Sequence, residues 1–225
     1  MGGAFFAPSG LLRDLAAVLR PFYSEFPMRF MRDVEMIGSG RYPLRVRLAW
    51  GAHVSDAFVD ALFALSARFG WSLDHVNWLM ACMAFETGRT FDPAVRNAAG
   101  SGATGLIQFM PLTARGLGTT TEALAAMTDI EQLEYVEAYF RPYHRRISTL
   151  PDMYLAILLP AYVGRPGGAV LFTEGRVSYR QNAGLDADND GRVTKDEAAQ
   201  RVQEMLIEGQ RPADARDVWQ EEVAA

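Results

Sequence analysis

The chain is poor in cysteine, in lysine and in long apolar runs. One cysteine, Cys82, occurs in 225 residues, so no internal disulfide can form. It sits in the apolar run NWLMACMAF, where a small buried hydrophobe is the simplest reading. A nucleophilic thiol would want a histidine at hand, and the three histidines, His53, His75 and His144, show no such pattern. No stretch is long and apolar enough to span a bilayer. The opening MGGAFFAPSGLLRDLAAVLR has neither a basic head nor a continuous apolar segment, so a signal peptide is not expected. A substrate outside the cytoplasm would then need another delivery route. Excess positive charge is missing as well. The net charge of -5 argues against a nucleic-acid binder, and the only lysine is Lys195.

What is present suits a globular protein. Hydrophobic residues make up 49% and charged residues 22%, enough to build one sizeable domain or one domain with an appendage. The apolar pattern is helical almost throughout. Leu11, Leu12, Leu15, Val18, Leu19 and Phe22 share one face over residues 10–22, as core or as a docking surface. Residues 23–50 read as irregular. Ser55 is placed to cap a helix that Gly70 ends, and Asp74 to cap a second that Gly88 ends. Pro111 suits the first turn of a short helix. TDIE at 128–131 is a capping box, and PDMYLAILLP at 151–160 predicts a central buried helix.

The second helix ends on an acid. Glu86 lies three residues after Met83 and seven after Leu79, so its carboxyl leaves the apolar face. It also lies in the last turn, among unpaired carbonyls. Both settings disfavour the anion and raise the pKa. A carboxylic acid kept protonated near neutrality can protonate a leaving oxygen.

ETG at 86–88 followed by GSGATGLIQFMP at 100–111 resembles the lysozyme-like lytic transglycosylases and phage muramidases. AYVGRPGGAV at 161–170 resembles their third motif, with Val163 where an asparagine is usual. The resemblance spans about residues 50–175. It implies an all-α, lysozyme-like fold that cuts the β-1,4 bond between N-acetylmuramic acid and N-acetylglucosamine in peptidoglycan. Glu86 would act as acid and then base. Gln108 and the backbone of Gly105, Leu106, Ile107 and Phe109 would face the sugars. Tyr162 and Tyr154 would lie near Glu86, and Thr87 would bond beside the acid or simply end the helix. Glycines 100, 102 and 105 let backbone approach a sugar closely. Hydrolysis usually wants a second carboxylate. The nearest downstream is Asp92, whose Asp-Pro pair is more often a turn device. A lone glutamate suits the transglycosylase route, in which the substrate's C6 hydroxyl attacks.

DADNDGRVTKDE at 186–197 fits a twelve-residue EF-hand loop. Asp186, Asp188 and Asp190 fill positions 1, 3 and 5, and Gly191 makes the turn. Arg192 offers its carbonyl, Thr194 stands at 9 and Glu197 at 12. A single loop points to a structural calcium ion rather than a sensor. The chain is thus expected to comprise an N-terminal helical extension (1–50), a catalytic domain (51–178), an EF-hand-like segment (179–209) and a tail (210–225) that is a short helix or disordered. Expected partners are peptidoglycan strands, and virion proteins through the N-terminal region. The alternatives are a non-catalytic calcium-stabilised glycan-binding or virion module, and a hydrolysing muramidase or chitinase with the same site.

Overall fold

The computed structural model describes residues 43–98 and 100–221. The helix expected over residues 10–22 lies outside them. The chain divides into two units, and the larger runs from Arg45 to Val218. That unit crosses both segments set apart in sequence at 51–178 and 179–209.

The architecture is mainly α, as expected. Eight helices occur among the described residues: α1 (Asp56–Phe69), α2 (Leu73–Glu86), α3 (Pro111–Gly116), α4 (Thr121–Ala125), α5 (Asp129–Phe140), α6 (Leu150–Leu158), α7 (Val177–Asn182) and α8 (Lys195–Gly209). Local signals set several ends. The Ser55 hydroxyl accepts from the Phe58 amide at 3.1 Å, and Gly70 closes α1 at φ +65°. Thr128 and Glu131 form the reciprocal box that opens α5. α2 begins before Asp74. Its N-cap is Ser72, whose amide donates to His75 Nδ1 at 3.3 Å, so a histidine takes the box position usually held by glutamate.

α2 supplies the centre of the core. Val76, Leu79, Met80 and Met83 are all buried, each contributing about 1.5–3 kcal/mol by leaving water. α2 packs against α8 and α6, and α1 packs against α5. α6 is as buried as its apolar run predicts, with Met153, Leu155 and Ala156 fully inside.

Four short strands also form among the described residues, and of these only the β contact at Val193 follows from the EF-hand pattern. β1 (Pro43–Leu48) pairs with β4 (Arg216–Glu221), and β2 (Val170–Thr173) with β3 (Arg192–Thr194). β1 lies in a stretch expected to be irregular, and β4 in a tail expected to be helical or disordered. Each strand pairs with one far away in sequence, so the decisive contact is tertiary. Beyond the ladder, the Trp50 amide donates to Gly209 O at 2.9 Å and its indole to Met205 O at 2.9 Å. Arg216 pairs with Asp56 at 2.7 Å.

Candidate functional site

Glu86 is the last residue of α2 and is half-buried. Burial pushes its pKa up to about 7. Desolvation is the cause of the shift. Three groups sense the Glu86 charge: Cys82 on α2, Tyr139 on α5 and Tyr154 on α6. Burial first, and Glu86 among the lesser causes, pushes all three up. The carboxyl therefore lies where α2, α5 and α6 meet.

Aromatic contacts build this wall. Tyr154 is buried and meets Phe85 edge-on at 5.7 Å. Tyr139 donates its hydroxyl to Ala156 O at 2.7 Å and meets Phe109 edge-on at 6.1 Å. The glycine-rich loop is thus joined to the Glu86 surroundings through Phe109 and Tyr139. Nothing in the sequence linked Tyr139 to Glu86; it is one more apolar position on α5, three residues after Val136.

The loop itself is braced from within. Gln132, fully buried on α5, accepts from the Leu106 amide at 2.9 Å and donates to Pro93 O and Leu124 O at 2.8 and 2.7 Å. Gly105 has φ +86°, and a Cβ there would strike the Gln132 amide. Gln108 also holds a left-handed backbone, φ 51°, a conformation that costs a non-glycine residue about 1 kcal/mol. Its side-chain nitrogen donates to Val95 O at 3.2 Å and Gly105 O at 3.1 Å.

Several residues expected at the sugars make contacts within the protein. Leu106, Ile107 and Phe109 point into the core. The Leu106, Gln108 and Phe109 amides are already bonded within the protein. Gln108 braces the loop with its amide nitrogen. Thr87 is buried; its hydroxyl donates to Met83 O at 2.7 Å and accepts from the Phe91 amide at 3.0 Å, so it ends the helix. Asp92 accepts from the Ala94 amide at 2.8 Å, the turn role its Asp-Pro pair implies. Tyr162 packs half-buried on the core, next to buried Val163. Two shallow hollows lie along α8, around Gln200, and neither includes Glu86.

The acidic loop is compact. Ligand-capable atoms of Asp186, Asp188 and Asp190 lie within 4.8 Å of one another. Gly191 turns at φ +82°, and its amide donates to Asp186 Oδ2 at 3.0 Å. Tyr179 donates to the same oxygen at 2.6 Å, a bond that pushes its own pKa up to about 12. Asp186 Oδ1 is buried with no hydrogen-bond partner. A buried unpaired carboxylate oxygen is costly, and a cation held between the three aspartates would satisfy it. Glu197 folds back over the loop, its Oε1 accepting from the Ala187 amide at 3.1 Å. Its Oε2 accepts from the Thr194 amide and hydroxyl at 2.8 and 2.6 Å, so Thr194 also caps α8. The Arg192 amide donates to Asp190 Oδ1 at 2.8 Å, ordering the turn.

No protein-family model matches the chain, and no curated protein matches it.

Proposed function

We propose that the protein is a lysozyme-like peptidoglycan-cleaving glycosidase, with Glu86 as general acid and then base. The observation that carries this is the Glu86 carboxyl at the end of a buried helix, with its pKa pushed up to about 7. Such a group holds a proton near neutrality and can give it to the glycosidic oxygen. The adjoining glycine-rich loop is joined to the same wall through Phe109 and Tyr139, which supports the motif pairing. Asp92 is engaged in its own turn, and among the described residues no other carboxylate is a cause of the Glu86 shift. Both facts favour the route with one glutamate, in which the substrate's C6 hydroxyl attacks and leaves a 1,6-anhydro end.

The acidic loop is proposed as a calcium site. Asp186, Asp188 and Asp190 would supply carboxylate oxygens, Arg192 its carbonyl, and Glu197 the last ligand after release from Thr194. The unpartnered Asp186 Oδ1 supports this.

One experiment tests the activity. Purified protein with calcium is incubated on peptidoglycan, and soluble products are analysed by mass spectrometry. Anhydro-muramic ends are expected from the native chain and none from Glu86→Gln. Free reducing muramic ends would mean hydrolysis. No fragments from folded protein on several walls would sink the glycosidase and leave a glycan-binding module. That module is favoured by one observation, the buried Val163 where the motif usually has a polar amide.

A further inference from the structure

The strand of the acidic loop is partnered in an informative way. A calcium sensor usually pairs two such loops. Here β3 pairs with β2, in the register Val170 with Thr194 and Thr173 with Arg192. The contact continues on both sides. The Glu174 amide donates to Gly191 O at 2.7 Å, the Lys195 amide to Ala169 O at 3.0 Å, and the Asp196 amide to Gly167 O at 3.0 Å. Lys195 Nζ donates to Arg165 O at 2.8 Å. At Gly167 the approach is so close that a Cβ would strike the Asp196 carboxylate. Residues 165–174 thus lie along loop residues 191–196.

The same ammonium forms an ion pair with Asp152 on α6, and each side chain is only 3% exposed. Asp152 Oδ1 also accepts from the Gly164 amide at 2.7 Å. Its Oδ2 accepts from the hydroxyls of Ser148 and Thr149 at 3.2 and 3.0 Å. Burial pushes the Asp152 carboxyl up, but the Lys195 and backbone bonds outweigh it and hold the pKa below the ordinary value. The bond from Gly164 to Asp152 closes a stretch of chain. Within that stretch lie Tyr154, which senses Glu86, and Ala156, whose carbonyl holds Tyr139.

We propose that Asp152 and Lys195 are positioning residues that couple cation binding at Asp186, Asp188 and Asp190 to the 152–164 stretch beside Glu86. The catalytic consequence rests on the proposed role of Glu86; the binding consequence does not. Lys195 stands at position ten of the loop, between the Thr194 cap and Asp196. A cation that gathers the aspartates and Glu197 fixes the first turn of α8, and with it the placement of Nζ. The coupling is reciprocal: if the ion steadies the stretch, cutting the tie weakens the ion.

The test uses the full chain and calcium chloride. Calorimetry measures Kd for the native chain, Lys195→Met, and the double variant Asp152→Leu/Lys195→Met. The single variant leaves a carboxylate buried and unpaired, whereas the double removes both charges and so keeps a folded comparator. A Kd raised about fivefold or more is expected in the double variant. Calcium is expected to slow amide exchange at Gly164 and Arg165 in the native chain and not in the double variant. On glycan strands calcium is expected to raise kcat at constant KM in the native chain only. Native affinity in the double variant, with an unchanged exchange response, would overturn the proposal. So would a native chain that binds no calcium, and that result would leave the Glu86 reading standing. Coupled affinity and exchange without any glycan cleavage would support the coupling and sink the Glu86 reading alone.

Discussion

Glu86 carries the proposed chemistry and also sets a pH response. Its carboxyl stays neutral in the fold at a pH where an unfolded glutamate, near 4.5, has ionised. The folded state then holds a proton that the unfolded chain releases. Stability is full below about 4.5 and falls as pH rises toward about 7, by up to about 3 kcal/mol. Denaturant titrations at pH 5 and pH 8 should show this loss, and Glu86→Gln should flatten it. In the proposed reaction the same proton is the catalytic one, so cleavage should decline as pH rises through about 7. Glu86→Gln should lower the rate by roughly 10²-fold or more while leaving the protein folded, as judged by near-UV circular dichroism. Spacing in the sequence marked Glu86 as an acid on an apolar face. It also pointed to desolvation on the apolar side of the helix, and burial raises the pKa.

At the scale of elements, one side-chain amide ties the glycine-rich loop to α5. Gln132 answers the Leu106 amide and two carbonyls at once. Gln132→Ala would leave those groups buried and unpaired, at a cost of about 2–3 kcal/mol, measurable as a fall in the denaturation midpoint. Gly105→Ala should be no milder, since it combines a left-handed backbone with a collision against the same amide. The helices were legible because caps and periodicity are local. Ser55, Gly70, Thr128 and Glu131 mark their ends within a turn of the residues they cap. Strands β1 and β4 were not, because β1 meets β4 from the other end of the larger unit. Period-two alternation was present in LRVRL at 44–48, but a single five-residue alternation is weak without its partner. Site contacts divide in the same way. Glu86 and the aspartates announced themselves by motif. Gln132 and the Asp152–Lys195 pair depend on which helices come together, and no spacing encodes that. The motif placed the backbone of Leu106, Ile107 and Phe109 at the sugars; that their side chains enter the core is set by packing, which a motif does not state.

At the scale of the larger unit, the acidic loop leads directly into a helix of the core. α8 begins at the loop and packs on α2 and α6. An ion bound there should therefore stabilise the unit globally. Calcium at about one hundred times its Kd would add about 2.7 kcal/mol, or roughly 5–10 °C in Tm for a chain of this size. Calorimetric scans with calcium and with chelator check this; superimposable curves would count against an ion at Asp186. Asp186→Ala should abolish the calcium response. Trp50, clasped by the carbonyls of Met205 and Gly209, has a further consequence for synthesis. On the ribosome, α1 and α2 emerge long before the residues that close over Trp50. The indole N–H has no hydrogen-bond partner until α8 has been made, and nascent chains arrested before residue 205 should remain open to protease around Trp50, whatever helices they have already formed.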